Sequence, residues 1–123
     1  MAMRLANITF DCEHPLEVAA FWSAVLGRPV DEGGSDYFAS IGVTDGNRVE
    51  PAWYFSKVPE SKQAKNRVHV DITATDPGDI AELERLGATV VAEHEIPGHS
   101  WVVMHDPEGN EFCVARKNWT GLR

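Results

Sequence analysis

The stretch NRVHVDITATDP, residues 66–77, alternates in a way that decides the fold. Val68, Val70 and Ile72 fall on one parity, and His69, Asp71 and Thr73 on the other. Successive side chains of a strand point to opposite faces, so the segment predicts a strand with one apolar and one polar face. Past Pro77 the period changes. Ile80, Leu83 and Leu86 recur at helical spacing, and the run stops at Gly87, which tolerates a left-handed cap.

The same order of events occurs earlier in the chain. With Pro15 set over Pro77, LANITFDCEHPLEVAAFWSAVLG (5–27) matches RVHVDITATDPGDIAELERLGA (67–88). Asn7 lies over His69, Ile8 over Val70, Thr9 over Asp71 and Phe10 over Ile72. Both prolines are expected in the first turn of a helix, where a missing N–H is harmless. Glu17 and Asp79 put negative charge near the helix N-termini, and Gly27 ends the first helix as Gly87 ends the second.

Strand-like runs follow each helix. In the first half they are RPV (28–30), YFASIG (37–42) and PAWYFSKV (51–58); in the second, TVVAEHEI (89–96), SWVVMH (100–105) and EFCVAR (111–116). DPEGN (106–110) reads as a turn, as does TDGN (44–47). The chain therefore predicts an α+β fold of two βαβββ modules, at about 4–58 and 67–117, joined by the polar linker PESKQAKN (59–66). The two modules are expected to form one curved mixed β-sheet, helices on one face and an open concave groove on the other.

Composition narrows the function. At 123 residues the chain fits one compact domain, and 43% hydrophobic with 24% charged residues is ordinary globular composition. A formal charge of −8 works against nucleic acid and anionic membranes, which need clustered Lys and Arg. The apolar runs are too short to span a bilayer, and the N-terminus has no signal-peptide core, so a cytoplasmic protein is expected. Cys12 and Cys113 are expected as buried free thiols, and no CxxC pair supports a structural zinc ribbon.

Strand parity selects the groove-side residues. In the first module these are Asn7, Thr9, Asp11, Tyr54 and Ser56, with Ile8, Phe10, Trp53 and Phe55 under the helix. In the second module they are His69, Asp71 and Thr73, with Trp101 as a pocket wall and Val103 and His105 sharing its parity. Tyr37 and the C-terminal Trp119 complete an aromatic set expected mostly in core or interface. His69 can serve as a general base or hydrogen-bond donor, with Asp71 orienting the ring. His94 and His99 sit around EHEIPGHS (93–100), read as a loop able to cover the groove.

Taken in order, AAFWSAVLG (19–27), NRVHVDI (66–72), LGATVV (86–91) and WVVMHDPEGNEFCVA (101–115) resemble the vicinal oxygen chelate superfamily, the glyoxalase/bleomycin resistance/dioxygenase proteins. The resemblance covers nearly the whole chain and is nearest to small glyoxalase-like domain proteins common in actinobacteria. It implies a homodimer, and in metal-dependent members a divalent ion held by the first and last strand of each module. Carried over by position, those ligands fall on His69, a match; on Asn7; on Cys113, where a Glu is expected; and on Ser56, with Tyr54 the alternative. Asp71 and Glu111 share the right parity but lie two residues away, about 7 Å along a strand.

One imidazole with Asn, Ser and Cys does not make a hard divalent site, so no metal and no other cofactor is expected. The leading expectation is a metal-free groove that binds a small hydrophobic or aromatic molecule, as resistance proteins of the sequestering type do. Asn7, Thr9, Tyr54, Ser56, Trp101 and Cys113 would contact the ligand. The alternatives are a metal-independent isomerase or lyase using His69 and Asp71 in proton transfer, and a divalent-metal lyase, isomerase or dioxygenase.

Overall fold

A computed structural model describes residues 2–116, so Trp119 lies outside the described residues. The architecture is α+β, two βαβββ-like modules each built on a mixed sheet, and the chain divides into compact units at 1–62 and 63–123. No described helix is long and apolar enough to cross a membrane.

The first unit comprises β1 (Asn7–Cys12), α1 (Pro15–Leu26), β2 (Phe38–Ile41) and β3 (Ala52–Lys57). β3 is central, parallel to β1 and antiparallel to β2. Pro15 opens α1, and Gly27 closes it with φ 66°, a conformation that costs a side chain with a Cβ. The register pairs Ile8 with Trp53 and Phe10 with Phe55, so these four share one face. On that face α1 delivers Trp22, whose ring centroid lies 5.2 Å from Trp53 and 5.7 Å from Phe10. Trp22 and Phe55 are fully buried, and this aromatic cluster is the core of the unit.

The run RPV (28–30) forms no strand, contrary to expectation. Three residues with a central proline lack the N–H a ladder needs, and the following chain closes on itself around Asp31. The Asp31 N–H donates to the Ser40 carbonyl at 2.8 Å. Its buried carboxylate accepts from Ser40 Oγ at 2.7 Å, the Val43 N–H at 2.9 Å and Thr44 Oγ1 at 2.9 Å. A side-chain cross-link thus stands where a strand was read.

The second unit comprises β4 (Val70–Ala74), α2 (Asp79–Arg85), β5 (Thr89–Ile96), β6 (His99–His105) and β7 (Glu111–Arg116). The sheet order is β4-β7-β6-β5, with β4 parallel to β7 and the other pairs antiparallel. Val102, Met104, Phe112 and Val114 are fully buried and form its apolar face. Two sequence expectations shift here. Pro77 precedes the Gly78 N-cap of α2 and so lies outside its first turn. Val68 lies in a bend before β4 and is 79% exposed, so it does not pack under the helix. EHEIPGHS is a hairpin rather than a loop: β5 runs into β6 through Pro97 and Gly98, and Gly98 takes φ 82° at the turn.

DPEGN forms the β6–β7 turn. The buried Asp106 carboxylate accepts from the Glu108 and Asn110 N–H groups, each at 2.9 Å. The end of the linker is fastened to this turn, because the Asn66 N–H donates to Glu111 Oε1 at 2.8 Å and its Nδ2 to Asn110 Oδ1 at 3.1 Å. That attachment fixes the approach to His69.

Candidate functional site

Strand register places Asp71 opposite Cys113, Cys113 opposite Val103, and Ala115 opposite Trp101. These residues occupy the face of the second sheet that turns away from its apolar side. His69 stands just ahead of β4 on the same parity. A cavity of about 330 Å³ opens on this face, lined by His69 and Asp71 at one side, Cys113 and Ala115 along β7, and Trp101 with His99 and Ser100 at the start of β6.

The polar end of the cavity is a coupled set. His69 Nδ1 lies 3.0 Å from Asp71 Oδ1. With its Nδ1 proton directed at a carboxylate, the neutral ring leaves the Nε2 lone pair as a base or acceptor. A donor atom from each of His69, Asp71 and Cys113 lies within 4.8 Å of the others. Burial pushes the Cys113 thiol pKa up, the Asp71 charge and hydrogen bond push it further, and Lys65 pulls weakly the other way. Cys113 is therefore a protonated thiol rather than a poised nucleophile. At the apolar end Trp101 stacks on His94 of β5, ring centroids 5.2 Å apart and planes at 23°.

The residues singled out in the sequence fall into two sets. His69, Asp71, Trp101 and Cys113 line the cavity of the second unit. Asn7, Thr9, Tyr54 and Ser56 lie in the first unit, where the register puts Thr9 beside Tyr54 and Asp11 beside Ser56 on the face opposite the aromatic core. There Asn7 Nδ2 donates to Thr9 Oγ1 at 2.9 Å, and the Tyr54 ring meets Phe38 edge-on at 5.2 Å. His99, expected in a loop covering the groove, instead lines the cavity from the first position of β6. Ser100 and Ala115 are lining residues that the sequence did not single out, because Ser100 belongs to the buried parity and Ala115 carries no chemical signal.

A divalent ion shared by the modules, as the resemblance implies, is poorly matched by these side chains. Asn7 and Ser56 offer only neutral oxygens, an amide and a hydroxyl, where a metal-dependent site places His or carboxylate donors. A hard ion such as Mn²⁺ or Mg²⁺ prefers carboxylate, carbonyl and water oxygens, and Cys113 offers sulfur at a position where oxygen is wanted. Asp71, two residues on from His69, nonetheless brings Oδ1 to 3.0 Å from His69 Nδ1, because both side chains project from the same face.

Residues 7–115 match a family model described as a glyoxalase-like domain. No curated protein matches the chain. Solved structures similar to it include a glyoxalase/bleomycin resistance protein/dioxygenase family enzyme from Burkholderia phytofirmans, 18% identical, with 93% of this chain and 98% of that chain covered and a TM-score of 0.66. The fosfomycin resistance protein FosX from Listeria monocytogenes, as an E126Q mutant complexed with Mn(II) and 1S,2S-dihydroxypropylphosphonic acid, is 13% identical, with coverage of 94% and 90% and a TM-score of 0.71. Lactoylglutathione lyase from Agrobacterium tumefaciens is 16% identical, with both chains fully covered at 100% and a TM-score of 0.58. At these identities the likeness is one of fold.

Proposed function

Because this chain belongs to the glyoxalase-like domain family of the vicinal oxygen chelate superfamily, we propose that its second unit binds a small aromatic molecule in the cavity between Trp101 and the His69–Asp71 pair. The observation that carries this reading is the cavity's division into two ends. Trp101 and Ala115 offer apolar surface, while Asp71 and His69 offer an acceptor and an imidazole at the other end. A volume of about 330 Å³ is at the small end of the roughly 300–1,000 Å³ of ligand pockets and suits a substituted single ring. Its lining includes a carboxylate, two imidazoles and a thiol, with no Lys or Arg among the described lining residues. A phenol or aromatic amine, able to donate to Asp71, fits this lining. A phosphonate like the one in the FosX complex would instead face the Asp71 carboxylate, with no Lys or Arg among the described lining residues.

A thermal-shift screen of phenols, aromatic amines and phosphonates tests the reading, since a ligand that binds only the folded state raises apparent stability by mass action. Phenols or amines should stabilise the protein, and in Trp101→Ala, compared with its own unliganded melting temperature, the ligand-induced shift should vanish. Stabilisation by phosphonates alone, or binding unchanged in Trp101→Ala, would reject it.

The 3.0 Å contact between His69 Nδ1 and Asp71 favours a second reading, proton transfer to or from the bound molecule by His69 Nε2. His69→Ala separates the two. Lost turnover with affinity retained identifies catalysis, and loss of affinity with no turnover in the parent identifies binding.

A further inference from the structure

Three donor atoms of different chemistry converge in the second unit, and their combination differs from what the family resemblance implies. We infer that His69, Asp71 and Cys113 form a site for a thiophilic divalent cation of the zinc type, held by this unit alone. The inference does not rest on the aromatic-binding reading, because it concerns the three donor atoms and not what fills the rest of the cavity.

The geometry is close to that of a bound ion. Ligand atoms in a tetrahedral zinc shell stand about 3.5 Å from one another. His69 Nδ1 and Asp71 Oδ1 are 3.0 Å apart, and all three donor atoms fall within 4.8 Å. Asp71 and Cys113 are register partners on adjacent strands, so the ladder itself fixes two of the three positions. His69 needs only a small ring movement to open its hydrogen bond and admit an ion. Three protein ligands leave a fourth position for water or for an oxygen of a bound molecule.

The donor chemistry sets the metal. Imidazole and thiolate favour zinc, and a single carboxylate is too little for Mn²⁺ or Mg²⁺, which seek oxygen-rich octahedral shells. Binding balances simply. The Cys113 S–H bond breaks as the sulfur–metal bond forms, and that proton goes to solvent. The neutral His69 ring moves its proton from Nδ1 to Nε2 as Nδ1 takes the ion, and Asp71 exchanges a hydrogen bond for a metal–oxygen bond.

Cobalt(II) is the probe, because a cysteine–cobalt bond produces a sulfur-to-metal charge-transfer band. Protein purified without an affinity tag and stripped of metal should develop that band with one equivalent of Co²⁺. Zn²⁺ should displace the cobalt, and excess Mn²⁺ should not. Cys113→Ser and Cys113→Ala should abolish the band. Asp71→Asn and His69→Gln, both at exposed positions, should weaken binding by about a hundredfold, at least what the loss of a ligand's supporting partner costs. Metal-free melting temperatures should match the parent, which separates ligand loss from misfolding. Trp101→Ala should keep the band, so failure of the aromatic reading leaves this result intact. Absence of the band, a band unaffected by Asp71→Asn and His69→Gln, or displacement by Mn²⁺ would each overturn the inference.

Discussion

Asp71 lies directly across the parallel β4–β7 ladder from Cys113, and its carboxylate accepts the thiol's hydrogen bond. An acid and a thiol thus share one register position on the same face. Burial and that negative charge both favour the protonated sulfur.

Removing the charge should make the thiol reactive. In Asp71→Asn the Cys113 pKa falls toward its ordinary value, the thiolate fraction at neutral pH rises, and alkylation by iodoacetamide accelerates. The accompanying loss of intrinsic nucleophilicity is only partial, so the gain in thiolate prevails. Mass spectrometry of Cys113 at timed intervals reads the rate, with the buried Cys12 as internal reference. A rate equal to or below that of the parent would contradict the pairing.

Asp31 should govern the first unit's response to acid. Burial alone raises its carboxyl pKa, but hydrogen bonds from Ser40, Val43 and Thr44 outweigh that effect, and the net shift is downward. A depressed carboxyl stabilises the fold fully above the pKa of the unfolded chain, and the contribution disappears as pH falls through the lower folded value. Asp31→Ala should therefore destabilise the protein by about 3 kcal/mol near pH 7, since donors in the loop lose a charged acceptor. The gap from the parent should narrow as pH drops below the ordinary carboxylate range. Urea titrations of both proteins at several pH values measure it, and a gap independent of pH would refute the assignment.

The aromatic cluster of the first unit should be its least tolerant region. Trp22 is fully buried and contacts Phe10, Phe21 and Trp53, with the Trp53 and Phe21 centroids at 5.2 Å. Trp22→Ala should cost about 3–5 kcal/mol through lost burial and the cavity left behind. Trp22→Phe should cost clearly less. Equilibrium unfolding of the two variants checks the order.

The parity of the strands was legible from alternation alone. Trp53 and Phe55 pack with α1, Tyr54 and Ser56 face the other way, and Trp101 shares its face with Cys113 and Ala115. Alternation says nothing about where a strand begins, so Val68 was placed under a helix although hydrogen bonding starts only at Val70. RPV looked like a strand because two of its neighbours in the pattern were strands, and no local signal announces a loop organised by a carboxylate such as Asp31. Alternation is equally silent on how side chains turn: His69, just ahead of β4, brings Nδ1 to 3.0 Å from Asp71 Oδ1 on the same face.

Trp101 leans on His94, and His94 belongs to β5, an edge strand of its sheet. The cavity wall is thus braced from an edge of the sheet, by a strand held on one side only, through its ladder to β6 and the Pro97–Gly98 hairpin. Loosening the hairpin would release the Trp101 wall and the His99 edge of the cavity before it reached His69, Asp71 or Cys113, which stand on or beside β4 and β7. If the cavity holds the aromatic guest proposed above, residence time would be set mainly from one end of this sheet and the polar contacts from the other.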